Sequence, residues 1–243
     1  MIVLIITAVR VKSMDSHRIS GRILAENIAG PGMMRLVEQS MQAQVQKTSV
    51  TEIAVKEWKH PQAALTFDDG PDIRYTPLLL DGLKERNVRA SFFLLGEKVE
   101  QYPELVERMQ KEGHLVGNHT YHHVQLNKLN ETKAREEILK TNNLIYETTG
   151  VYPLYLRPPF GAWKKNLELC VEMLPVFWTI DTLDWKVKNT EKIVRTVKEQ
   201  IEDGAIILMH DEYDTSVEAA LQVVDELKNQ GYELVTVDQL ILP

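Results

Sequence analysis

Cysteine is almost absent from this chain of 243 residues, where Cys170 stands alone. A lone thiol excludes an internal disulfide framework and any zinc site built from cysteines, and it leaves the redox compartment open. Basic charge is also scarce, with 28 Lys and Arg against 35 Asp and Glu for a net charge of −7. A dedicated nucleic-acid binder needs a basic face to displace counterions from phosphates, so no nucleic-acid partner is expected. The opening apolar run, Ile2 to Val9, is far short of the roughly twenty residues that a membrane-spanning helix requires. It also lacks the basic n-region and small-residue cleavage site of a secretory signal, and reads as a strand or the remnant of a longer leader. No glycine-rich phosphate loop follows the first strand of the later chain. Asp68-Asp69-Gly70-Pro71 is neither GxGxxG nor a P-loop, which argues against a nucleotide enzyme.

What remains is the composition of a soluble globular enzyme, 44% hydrophobic and 26% charged. It divides in two. Residues 1–60 hold 8 Lys and Arg against 5 Asp and Glu, a sum of +3, and five of the eight methionines. The other 183 residues hold 20 against 30, a sum of −10. The junction lies near His60-Pro61, giving an N-terminal extension over 1–60 and a catalytic domain over 61–243. Within the extension, residues 33–45 carry a weak helical period through Met33, Leu36, Val37 and Met41, and no chemistry.

From Pro61 onward, short β-type runs alternate with helical ones. The expected strands are Ala63–Phe67, Val88–Leu95, Leu115–Asn118, Leu154–Leu156, Val176–Ile180, Ala205–Met209 and Tyr232–Val237. Several are apolar throughout, as strands buried on both faces should be. Helices are expected over 131–149, ended by Gly150, over 191–203, with Thr190 as N-cap and Gly204 beyond, and over 215–230, ended by Gly231. Such alternation implies a parallel sheet, and seven units favour a closed or nearly closed barrel over an open doubly wound sheet.

The polar residues gather at the strand ends. Asp68 and Asp69 follow the first strand, His119 the third, Arg157 the fourth, Asp181 the fifth and His210 the sixth. In a parallel barrel these C-terminal ends open onto one face, where catalytic groups collect. In His119-Thr120-Tyr121-His122-His123, a helical turn would project His119 and His123 from one side, suited to two ligands of a zinc ion with a carboxylate as the third. His122 points elsewhere by the same geometry, and His114, His17 and His60 read as ordinary histidines. Adjacent side chains after a strand diverge, so one of Asp68 and Asp69 can bind the metal while the other serves as a base. Asp181 or Asp184, beside His210, would orient its imidazole and raise its pKa. Arg157 could pair with the base and keep it ionised, and Trp185 could pack against an apolar group or a sugar face.

At these residues the chain resembles the polysaccharide deacetylases of carbohydrate esterase family four. The family's five motifs stand in order as Thr66-Phe67-Asp68-Asp69-Gly70-Pro71, His119-Thr120-Tyr121-His122-His123, Arg157-Pro158-Pro159-Phe160-Gly161, Asp181-Thr182-Leu183-Asp184-Trp185 and Leu208-Met209-His210. The resemblance implies a distorted (β/α) barrel of about seven parallel strands. It makes Asp68 the general base, Asp69, His119 and His123 the metal triad, and His210 the general acid tuned by Asp181. It makes Arg157 the brace of Asp68, places Trp185 and Leu208 in an acetyl pocket, and gives the Phe160 N–H to the oxyanion. Phe160 departs from the tyrosine frequent in that motif, so a phenolic contact to substrate would be absent.

The implied reaction is metal-dependent hydrolysis of N-acetyl groups on a polymeric amino sugar, with release of acetate. N-acetylglucosamine of peptidoglycan ranks first as substrate, ahead of chitooligosaccharide or acetylxylan. A non-catalytic carbohydrate-binding protein would be expected to have lost the base or a ligand, and all are present. Zinc is the expected metal, although an Asp-His-His site also accepts cobalt, nickel or iron. A location at the cell surface or outside the cell is expected from that function, and a monomer is favoured.

Overall fold

In the computed structural model the described residues are 60–163 and 173–241. The opening apolar run, the expected helix over 33–45 and Cys170 lie outside them. The eight strands among the described residues are β1 (Gln62–Asp68), β2 (Ser91–Leu94), β3 (Leu115–Asn118), β4 (Tyr155–Leu156), β5 (Leu174–Pro175), β6 (Ile180–Asp181), β7 (Ala205–His210) and β8 (Glu233–Leu234). The helices that flank them are α1 (Tyr75–Glu85), α2 (Gly96–Gln101), α3 (Pro103–Lys111), α4 (Glu131–Thr149), α5 (Asp184–Val187), α6 (Thr190–Gln200), α7 (Asp214–Asn229) and α8 (Val237–Ile241). None of the described helices is long and apolar enough to cross a membrane.

The strands pair in parallel in the order β5-β4-β3-β2-β1-β7-β6, and β8 joins the start of β1. The terminal strands β5 and β6 are not paired with each other among the described residues. The sheet therefore curls into a half-barrel wrapped by helices, as expected for a distorted (β/α) barrel.

Strand parity divides the side chains. Ala63, Leu65 and Phe67 of β1, Phe92 and Leu94 of β2, and Ala205, Ile207 and Met209 of β7 face outward. There they share one core with Leu79, Leu80 and Leu83 of α1 and Val223, Val224 and Leu227 of α7. Each fully buried leucine or phenylalanine contributes about 1.5–3 kcal/mol to holding helix against sheet. The opposite parity faces into the curl. Ala64, Phe93, Tyr155 and Val176 fill its floor with Val237. On β1, Thr66 and Asp68 continue the inner face upward, and the register sets Asp68 beside His210 of β7.

The helix over 131–149 has the expected ends: Asn130 caps it through the Lys133 N–H, and Gly150 closes it with φ 73°. Several expectations are corrected, among them Tyr232–Val237, which narrows to Glu233–Leu234 because Val237 already opens α8. Val176–Ile180 is not one strand, because the chain leaves β5 at Pro175 and re-enters the sheet only at Ile180. Val88–Leu95 narrows to Ser91–Leu94, since the Val88 N–H still bonds the Leu83 carbonyl at the end of α1. The cap of α6 is Asn189, whose side chain accepts from the Lys192 N–H at 2.9 Å, so Thr190 is the first helical residue.

Candidate active site

The inner parity of the central strands delivers the site. Asp68, 3% exposed at the end of β1, meets Arg157, which is fully buried just after β4. One guanidinium NH donates to Asp68 Oδ1 at 2.8 Å and to Thr66 Oγ1 at 2.7 Å. Thr66 Oγ1 in turn donates to the Ile207 carbonyl at 2.7 Å, tying β1 to β7 beneath the pair. Arg157 also stacks on Phe93, its Cζ 4.2 Å from the ring centroid. A buried ion pair with all its members bonded in this way holds Asp68 in place, whereas removing one partner typically costs about 3–5 kcal/mol.

Asp69, His119 and His123 form the second cluster, with ligand atoms all within 4.8 Å of one another. Asp69 Oδ1 is 3.4 Å from both His119 Nε2 and His123 Nε2, and it is buried with no hydrogen-bond partner. His119 Nδ1 lies 2.6 Å from the Arg157 carbonyl, which can only accept, so the proton sits on Nδ1 and Nε2 presents a lone pair. Burial lowers the pKa of His123 from its ordinary value, which favours the neutral ring. Acceptor atoms that face one another without a proton between them suit a cation. Among the described residues, this Asp-His-His set fits the divalent metal that the motifs imply.

The two histidines do not converge through a helical turn, as the spacing predicted. Residues 119–123 form an irregular loop in which Thr120 and His123 both adopt positive φ, 66° and 54°. Asn118 Oδ1 accepts the Thr120 N–H at 2.7 Å, and Glu137 of α4 accepts the N–H groups of Tyr121 and His122 at 3.0 and 2.9 Å. His122 bonds Glu137 and leaves the cluster, in line with its expected exclusion. His114 is buried elsewhere, accepting the Ala90 N–H on Nδ1.

His210 completes the mouth, its Nε2 3.9 Å from Asp69 Oδ2. Its partner is Asp184, not Asp181. Asp184, buried at the start of α5, accepts from His210 N and pairs with His210 Nδ1, both at 2.8 Å. Asp181 instead accepts the Leu183 N–H at 2.9 Å and so shapes the turn before α5. Burial alone would lower the His210 pKa. The bonded Asp184 carboxylate outweighs it, with help from the charges of Asp68 and Asp69, and pushes the group up to about 9.

An aromatic side chain stands beside the histidines of the mouth. Phe160, at φ 60° and 62% exposed, packs its ring 4.6 Å from that of His123. Trp185 is 49% exposed on α5, and Leu208 is buried on the inner face of β7. Sequence reasoning missed Thr66, although it stands two residues before Asp68 on a strand and so shares its face. It also missed Asp211, the fully buried neighbour of His210, where burial pushes the carboxyl up to about 7.

The profile of the polysaccharide deacetylase family matches residues 56–176. The peptidoglycan-N-acetylglucosamine deacetylase PgdA of Listeria monocytogenes is 44% identical over 177 residues, covering 73% of this chain and 38% of that protein. The peptidoglycan-N-acetylmuramic acid deacetylase PdaC of Bacillus subtilis is also 44% identical over 177 residues, with the same shares of the two chains. The solved structure of PdaC superposes with a TM-score of 0.73 at 42% identity, over 75% of this chain and 91% of that one. The match thus spans well under half of the two curated relatives and nearly all of the solved chain.

Proposed function

The chain belongs to the polysaccharide deacetylase family, and from that membership we propose that it hydrolyses the N-acetyl groups of peptidoglycan, at N-acetylglucosamine, releasing acetate. The observation that carries this reading is the convergence of Asp68, the Asp69-His119-His123 cluster and His210 on one mouth. Asp69, His119 and His123 would hold the metal, with zinc as the expected ion. When bound, it would supply Lewis acidity toward the acetamide carbonyl and toward a water. Asp68, held in place by Arg157, would take the proton of the attacking water. The Phe160 N–H would stabilise negative charge developing on the carbonyl oxygen. His210, protonated through Asp184, would give its proton to the departing amine. Trp185 and Leu208 would enclose the acetyl methyl group. A substrate of this kind places the enzyme at the cell surface or outside the cell.

The base is tested with Asp68→Asn, which keeps the shape of the side chain. Acetate release should fall about 10²–10⁴-fold, while zinc affinity in a calorimetric titration stays close to that of the parent protein. A variant that retains most of its activity would show that another group takes the proton. The sugar is tested by mass spectrometry of muropeptides and chitooligosaccharides after incubation with the metal-loaded enzyme. Loss of acetyl groups from N-acetylmuramic acid alone would overturn the sugar assignment.

A further inference from the structure

Asp211 is fully buried one residue beyond His210, and no step above uses it. Its carboxylate occupies the place where Gly70 would carry a side chain. A Cβ at Gly70 would stand 2.6 Å from Asp211 Oδ1 and 2.9 Å from Oδ2. Oδ2 also accepts a hydrogen bond from the Thr76 hydroxyl, whose oxygen accepts the Asp72 N–H at 2.7 Å. Asp72 Oδ1 then accepts the N–H groups of Arg74 and Tyr75 at the opening of α1. From the other side, the Gly70 carbonyl accepts the Leu95 N–H at 3.2 Å. The next residue, Glu212, forms an ion pair with Lys98 of α2 and anchors the segment that carries Asp211.

Gly70 is therefore clamped between Asp211 and the end of β2. The residue between β1 and that clamp is Asp69, at φ 69°. Positive φ is uncommon outside glycine, although Asp adopts it more readily than most residues, and here the clamp on Gly70 holds the residue beside it in that conformation. Here the imposed conformation belongs to the residue whose Oδ1 faces His119 and His123.

We propose that Asp211 is a positioning residue: packed against Gly70 and tied through Thr76, it fixes the Asp68-Asp69-Gly70 turn and so aims Asp69 at the two histidines. The proposal rests on the reading of Asp69 as a metal ligand. A brace that served stability alone would lower the melting temperature without touching metal affinity, which gives the two roles different readouts.

The test is a calorimetric zinc titration of the full chain and its variants, with thermal unfolding of each metal-free protein beside it. Asp211→Ala should weaken zinc binding about tenfold or more and lower kcat with little change in KM. Asp211→Asn keeps the volume and an acceptor for Thr76, and should rescue the affinity to within about threefold. Gly70→Ala should weaken zinc binding in the parent, where its methyl group meets the carboxylate, and add little in the Asp211→Ala background. Should Asp211→Ala fail to fold, Thr76→Val and Gly70→Ala decide, each expected to weaken zinc binding several-fold. Unchanged affinity in the folded variants, or an equal Gly70→Ala penalty in both backgrounds, would overturn the proposal. Asp69→Ala separates the two readings. If it leaves zinc affinity intact, the ligand assignment falls and the proposal with it; if it abolishes binding while the Asp211 and Gly70 variants do not, the positioning role alone falls.

Discussion

The pH behaviour of the site turns on one imidazole. His210 is pushed up to about 9 because the Asp184 carboxylate pairs with its Nδ1, and the His210 backbone N–H holds that carboxylate in place. A general acid must carry its proton, so kcat/KM should fall as pH rises through that pKa and hold below it. A cation held by Asp69 cancels part of that carboxylate's contribution, so the limb in the loaded enzyme should lie below about 9. Asp184→Asn removes the largest stabilising charge. It should lower activity at pH 8 by about 10²-fold or more and move the alkaline limb downward, measured as kcat/KM across pH 6–10. A limb at the same pH in both proteins would show that the titrating acid is not His210. Asp184 was hard to choose from sequence, because Leu183 reverses the chain at φ 51° and no periodicity carries across such a turn. Asp68, Asp69, His119, Arg157 and His210 were legible for the opposite reason. Each sits at the end of an apolar run whose period fixes where the strand stops.

Among the elements, α6 shows how close the local code came and where it was ambiguous. Asn189 and Thr190 are both good capping residues, and only the backbone separates them: Asn189 is extended and Thr190 is already helical. Thr190 Oγ1 is engaged elsewhere, donating to Glu218 of α7 at 3.1 Å. Asn189→Ala should therefore lower stability by about 1 kcal/mol, read from denaturant unfolding, and leave acetate release unchanged. An equal loss from Thr190→Val with none from Asn189→Ala would reverse the assignment. The same limit explains the segment 176–179. Val176 to Ile180 is apolar enough for a buried strand, but its two ends have different partners. The Val176 N–H bonds the Leu156 carbonyl of β4, and the Thr179 N–H bonds the Ile206 carbonyl of β7. Composition reports burial at that place, and only tertiary pairing reports that the chain is crossing from one limb of the curl to the other.

For the whole molecule, acid stability exposes a group remote from the catalytic mouth. His114 lies buried between Phe92, edge-on at 5.3 Å, and the Ala90 N–H that bonds its Nδ1. Burial pushes its pKa down to about 4, against an ordinary value of 6.5 and an opposing pull from Glu112. A folded pKa below the unfolded one means that its contribution is present in full above about pH 6.5. It is lost as pH falls toward 4, a change worth about 3 kcal/mol. Against a typical domain stability of about 5–15 kcal/mol, that is a large share. Asp211 works in the opposite sense: its carboxyl is pushed up to about 7, so its contribution is lost as pH rises from about 4 to 7. The raw stability curve sums both, and a variant isolates one. His114→Asn still offers an acceptor to the Ala90 N–H but does not titrate. Urea unfolding of the metal-free proteins should therefore find the parent losing about 3 kcal/mol more than His114→Asn between pH 7 and pH 4. Parallel curves would mean that His114 takes up its proton at the same pH in the folded and the unfolded chain, and that burial does not set its pKa.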